Sequence, residues 1–128
     1  MTVDVSVVPH VLYVDDYEPM CELACDTLQA DGLRATYLLD AQAALAACAS
    51  APGAFAVAVV DYNMPRIDGR ELTRRLAAAG GPPVIMVSGH VDDAVRAHAL
   101  AAGATLVMDK ACVVRDLASA VRKLLAPP

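Results

Sequence analysis

The stretch Val57-Ala58-Val59-Val60-Asp61-Tyr62-Asn63-Met64-Pro65-Arg66-Ile67-Asp68-Gly69 decides how this chain is read. It opens with small apolar residues and no polar interruption, the composition of a strand buried on both faces, and the run stops at a carboxylate. An ionised side chain belongs at the strand's end, within reach of solvent. Asn63, Met64-Pro65 and Asp68-Gly69 supply turn chemistry before a helical pattern resumes at about Arg70 and runs to Ala79. Asp61 is therefore expected to project from a strand-to-helix loop at a sheet edge, where open α/β sheets keep their chemistry.

On the N-terminal side, His10 to Val14 reads as a buried strand ending in Asp15-Asp16. A helix follows with Pro19 in its first turn, where a missing N–H costs nothing. Val3 to Pro9 reads equally as a frayed strand or an unstructured lead-in. Gly32 stops the first helix, Arg34 to Leu39 has the mixed polarity of an edge strand, and Asp40 is a natural N-cap for the Ala-rich segment Ala41 to Ala49. On the C-terminal side, Gly80-Gly81-Pro82-Pro83 is a stop, Val84 to Val87 is a buried strand leading into Ser88-Gly89-His90, and Asp92-Asp93 favour a helix start. That helix ends at Gly103. Thr105 to Met108 is a short strand before Asp109-Lys110, and the apolar periodicity from Val114 to Leu125 predicts a last amphipathic helix.

Strand and helix thus alternate five times, which predicts a parallel sheet covered on both faces. Right-handed crossovers place every strand's C-terminal end on one edge. Asp15, Asp16, Asp61, Ser88 and Lys110 each stand just past the apolar part of a strand, so the fold is expected to gather them.

Composition bounds the rest. A chain of 128 residues makes one domain, 1–128, with 1–9 as a lead-in and 10–125 as the core, and leaves no space for a second effector domain. Hydrophobic residues make up 57% but aromatics only 4%, so the core must be built from Ala, Val and Leu. The net charge of −5 argues against a nucleic-acid surface, and Arg74-Arg75 and Arg122-Lys123 read as isolated pairs on helix faces. No apolar run is long enough for a membrane span and the start lacks a basic signal flank, so a cytoplasmic protein is expected. Cys21, Cys25, Cys48 and Cys112 form no Cys-x-x-Cys pattern and read as reduced thiols.

Three carboxylates in one cleft cannot all stay ionised without a counter-charge, because like charges raise one another's pKa. A hard divalent cation resolves the conflict, and Mg²⁺, which keeps several waters, suits a shallow carboxylate cleft. One carboxylate can then attack phosphorus while Lys110 and the Ser88 hydroxyl hold the equatorial oxygens. With Val14-Asp15-Asp16, Asp61-x-x-Met64-Pro65-x-x-Asp68-Gly69, Ser88-Gly89, Gly103-Ala104 and Lys110 in this order, the chain resembles the receiver domains of bacterial two-component response regulators over His10 to Leu125. The resemblance implies a flavodoxin-like doubly wound (βα)5 sandwich with a five-stranded parallel sheet in the order 2-1-3-4-5. It also implies that Asp61 is a phosphoacceptor served by the phosphohistidine of a histidine kinase or histidine phosphotransfer protein.

Further implications concern the site and its partners. Mg²⁺ or Mn²⁺ would be bound by Asp16 directly, by Asp15 largely through water, by Asp61, and by the backbone carbonyl of Asn63. Ser88, Gly89 and Lys110 would bind the phosphoryl group and carry the switch. A downstream protein, or a second copy in a homodimer, would read the fourth helix, fifth strand and fifth helix. The chain would be a self-modifying acceptor and not an enzyme, contacting neither nucleic acid nor membrane.

Departures from the family pattern set further expectations. Val107 stands where the family carries Tyr or Phe as a rotameric switch. Ala111 replaces the Pro that follows the lysine through a cis bond; for alanine that bond would cost about 2.5–4 kcal/mol, so a trans bond or visible strain is expected. Gly89 replaces the usual Ala and widens access. His90 stands where the family tunes acyl-phosphate lifetime, with a solvent-facing loop histidine as the equal alternative.

Rival classes are a phosphohydrolase with an aspartate nucleophile, whose Asp-x-Asp pair is absent, and a flavodoxin-like cofactor binder. Asp15-Asp16-Tyr17-Glu18 would repel the phosphate that the second class needs. Within the receiver class, a degenerate binding module that works without phosphorylation, or a phosphate sink or shuttle cut from a hybrid kinase, are the alternatives.

Overall fold

The computed structural model describes residues 8–127. Element order is β1 (His10–Val14), α1 (Glu18–Ala30), β2 (Arg34–Leu38), α2 (Ala41–Ser50), β3 (Val57–Asp61), α3 (Gly69–Ala78), β4 (Val84–Ser88), α4 (Asp93–Ala102), β5 (Leu106–Asp109), a 3₁₀ turn at Lys110–Cys112, and α5 (Val113–Leu125). All pairings are parallel and the strands lie in the order β2-β1-β3-β4-β5. That is the order expected. Of the lead-in, Val3 to Val7 lie outside the described residues; the carbonyls of Val8 and Pro9 accept hydrogen bonds from Arg34 Nε and the Arg34 amide.

Period-two alternation sorts the sheet's side chains into two cores. Val11, Tyr13, Val57, Val59, Ile85 and Val87 face α1 and α5, packing on Cys21, Leu28, Leu117 and Val121. Leu12, Val14, Ala58, Val60, Val84 and Met86 face α2, α3 and α4, packing on Ala44, Leu72, Leu76 and Ala99. The central strands are buried on both faces, which is why their sequences read as unbroken apolar runs. β2 and β5 at the edges are only partly covered.

Helix starts follow the capping chemistry. The side chains of Asp40, Asp68 and Asp92 accept from the amides of Ala43, Glu71 and Val95 at 2.7, 3.0 and 2.8 Å. Gly103, with φ of 112°, closes α4 in the left-handed region. Several boundaries move by one residue: β4 reaches Ser88, β5 spans Leu106–Asp109 and not Thr105–Met108, and α3 begins at Gly69. The sheet ladder carries polar residues at its rim as readily as apolar ones, since Ser88 pairs with Asp109.

Gly69 is required by a close approach. A Cβ at this position would lie 2.1 Å from the Asp61 carbonyl oxygen, and its amide donates to the Tyr62 carbonyl at 3.2 Å. At Gly89 a Cβ would meet nothing within 4 Å. Gly69→Ala should therefore cost at least about 2 kcal/mol in urea unfolding, whereas Gly89→Ala should stay within about 0.5 kcal/mol.

Candidate functional site: an acidic pocket closed by a lysine

Asp15 directly follows β1, Asp61 ends β3 and Lys110 directly follows β5, and β1 and β3 are neighbours in the sheet. The parallel topology therefore brings these groups to one rim. Lys110 Nζ lies 2.9 Å from Asp15 Oδ2 and 3.1 Å from Asp61 Oδ2. Both carboxylates are buried, and the lysine side chain is 25% exposed. Asp16 is exposed at the pocket mouth, and carboxylate oxygens of Asp15, Asp16 and Asp61 lie within 4.8 Å of one another.

Backbone amides orient the acids. Asp15 Oδ1 accepts from the Tyr17 amide at 3.0 Å and Asp61 Oδ1 from the Asn63 amide at 3.3 Å. Burial, joined by the charge of Asp15, pushes the Asp61 carboxyl up from 3.8 to about 6, against the pull of Lys110. Burial works against the ammonium of Lys110 too, yet its contacts with Asp15 and Asp61 outweigh that and raise its pKa. One cation thus serves three acids, and negative charge is left over.

A divalent metal fits this donor set. Oxygen ligands converge from three carboxylates, and Asp15 Oδ2 is buried with an ionic neighbour but no well-aligned hydrogen bond. Among the described residues this is the only such cluster of potential ligands. Cys21 and Cys25 are buried, the Cys21 thiol donates to the Asp15 carbonyl at 3.3 Å, and burial pushes it up to about 12.

The residues expected to carry the switch are at the rim but not all turned inward. Ser88 is buried, and its Oγ donates to the His90 carbonyl at 2.9 Å while accepting from the His90 amide at 3.3 Å. Gly89 is exposed. The His90 side chain is 81% exposed and its Nε2 lies 3.3 Å from Asp92 Oδ2. Asn63 is exposed beside the pocket. Asp68 caps α3 and Asp109 accepts from the Ala111 amide at 2.8 Å, so neither faces the cluster as a ligand.

The Lys110-Ala111 bond is trans, there being no cis peptide among the described residues. Ala111 supplies the N–H that Asp109 accepts, which proline could not. Val107 sits half-buried in β5 against the α2–α4 core. Two features escaped the sequence: the Cys21 bond to the Asp15 backbone and a hydrogen bond of 3.3 Å between the Tyr62 hydroxyl and His98 Nδ1. No short-range spacing encodes either, since both cross between elements.

Residues 11–122 match the family described as "Response regulator receiver domain". The C4-dicarboxylate transport transcriptional regulatory protein DctD of Pseudomonas aeruginosa is 36% identical over 117 residues, covering 90% of this chain and 25% of that protein. The transcriptional regulatory protein FixJ of Bradyrhizobium diazoefficiens is 34% identical over 103 residues, covering 79% of this chain and 49% of FixJ. Among solved structures, chemotaxis protein CheY4 of Vibrio cholerae superposes with a TM-score of 0.84 at 25% identity, covering 93% of this chain and 100% of that one. The chain belongs to the response regulator receiver domain family. It spans a quarter to about half the length of those two regulators. No helix among the described residues is long and apolar enough to cross a membrane.

The raised carboxyl gives a pH test. Above about 6 Asp61 is ionised in the fold and bears the cost of burial and of Asp15; as pH falls through 6 towards 3.8 it becomes neutral and the cost disappears. Without divalent metal, Asp61→Asn should therefore be more stable than wild type by roughly 2 kcal/mol at pH 8, with the gap closing by pH 4. Thermal melts across that range measure it.

Proposed function

We propose that the chain is a phosphoryl-accepting switch of two-component signalling. Asp61 takes the group from the phosphohistidine of a histidine kinase or histidine phosphotransfer protein, in a reaction that depends on Mg²⁺ or Mn²⁺. The observation that carries this reading is the double contact of Lys110 with Asp15 and Asp61, made by residues from distant parts of the sequence.

In the proposed transfer an Asp61 oxygen forms a bond to phosphorus as the phosphorus–nitrogen bond of the donor histidine breaks. The departing imidazole retains the bond electrons and takes up a proton. Lys110, 3.1 Å from Asp61 Oδ2, is placed to follow the charge onto the phosphoryl oxygens. Asp16, Asp15, Asp61 and the Asn63 carbonyl would hold the metal, which when bound supplies charge neutralisation for both the acids and the incoming group. Ser88 must exchange its bonds to the His90 backbone for a phosphoryl oxygen, and Gly89 leaves that approach open. The modification adds about −1.5 to −2 charges. The chain modifies itself and has no separate substrate to turn over.

Output would pass through α4, β5 and α5 to a downstream protein or to a second copy of the chain. Leu100 of α4 and Leu106 of β5 are 49% and 39% exposed, which supports an apolar contact on that face. Val107 and Ala111 favour one second reading, a binding module that works without phosphorylation. The intact acidic cluster with its lysine weighs against that reading.

Incubation with Mg²⁺ and acetyl phosphate should add the mass of one phosphoryl group to wild type. Asp61→Asn should show no gain, and Lys110→Ala should lose most of it. No gain in wild type would overturn the proposal. His90→Ala should shorten the half-life of the modified form by opening the rim to water; an unchanged decay would leave His90 as a loop residue only.

A further inference from the structure

Tyr62 follows Asp61 directly, and three elements converge on it. Its amide donates to the Val87 carbonyl at 2.8 Å, next to Ser88, and its carbonyl accepts from Gly69 at the start of α3. The backbone is thus clamped between the ends of β4 and α3, so it can move only with the rim. The side chain reaches in a third direction, sharing the 3.3 Å hydrogen bond with His98 Nδ1 on α4. The guanidinium carbon of Arg70 lies 5.3 Å from the ring centroid and holds the ring from α3.

α4 has little else to fix it. The residues it buries are Ala99 and Ala102, whereas α5 buries Val113, Leu117 and Val121. Burial energy follows apolar area, so two methyl groups leave a polar contact with a sizeable share of the anchoring. Neighbouring β5 contributes Val107 here, a side chain without the reach or polar tip of an aromatic switch.

We propose that the Tyr62–His98 hydrogen bond is a strut through which the state of Asp61 sets the position of α4. Both residues are positioning groups and take no part in the chemistry. The inference rests on Asp61 being the phosphoryl acceptor. When Ser88 turns to the phosphoryl group, the segment that holds the Tyr62 amide shifts with it. The strut, already at the long end of hydrogen-bond distances, is lost, and α4 is freed to present a different surface.

The test uses the full chain with Mg²⁺ and beryllofluoride, a phosphoryl mimic. Amide hydrogen exchange is followed across Asp93–Ala102, and bound fluoride by ¹⁹F NMR, for wild type, Tyr62→Phe, His98→Ala and the double variant. Tyr62→Phe keeps the ring beneath Arg70 and removes only the hydroxyl. Wild-type exchange in α4 should rise about two- to five-fold at beryllofluoride saturation, the size expected of losing one surface hydrogen bond.

Each free single variant should already exchange at that raised rate, and the double variant should add nothing. Wild-type exchange rates in both free variants, or a full beryllofluoride response in Tyr62→Phe at saturation, would overturn the strut. If beryllofluoride fails to bind wild type, the acceptor reading falls. The comparison of free wild type with free variants still decides the strut.

Discussion

The site depends on one ammonium group held between two buried carboxylates. Asp15 and Asp61 stand at the ends of adjacent strands, one just past β1 and the other closing β3, and alone they would repel each other in a poorly hydrated pocket. Lys110 arrives from the far edge of the sheet and touches both. Losing the ammonium would leave two buried like charges facing each other without a counter-charge, so of the three residues Lys110 is the one the pocket can least spare. The positive charge does not cancel the acids, with Asp16 at the mouth as a third, and that residual imbalance is what a divalent cation would offset.

Everything around the pocket keeps those charges in register. Amides of Tyr17 and Asn63 fix one oxygen of each buried acid, and the Cys21 thiol ties the Asp15 backbone to the first helix. Gly69 lets the third helix begin against the Asp61 carbonyl, a distance no other residue allows. Surface charges contribute little by comparison: Arg74 and Arg75 pair with Glu71, and Arg122 with Asp31, in exposed positions where such pairs are worth under about 1 kcal/mol.

Much of this architecture is written in local pattern. Val57 to Val60 and Val84 to Val87 read as strands covered on both faces, and Asp40, Asp92 and Gly103 mark helix ends by chemistry that acts over a few residues. Gathering Asp15, Asp61 and Lys110 follows from topology once the strands are parallel. Strand ends at the rim were harder to place, because Ser88 and Asp109 join the ladder despite their polarity. Side-chain choices between equivalent partners were out of reach: Ser88 bonding to the His90 backbone, and Tyr62 to a residue on another helix, depend on distances that the linear order does not carry. At Ala111 the sequence left a trans bond and a strained one open; the bond is trans, the form a non-proline residue prefers, and the Ala111 amide is held by the Asp109 carboxylate.

The helices on the sheet are unequally anchored. Beneath the first and last helices lie leucine, valine and a tyrosine ring, while α2 buries Ala41 and Ala44 and α4 buries Ala99 and Ala102. Shaving contact down to methyl groups leaves these two helices the loosest shingles on an otherwise firm roof. A folded population met by a protease should be nicked first there, long before the sheet yields. The same unevenness means that α2 and α4 can be reshaped at small energetic expense while α1, α3 and α5 stay a rigid mount for the acids.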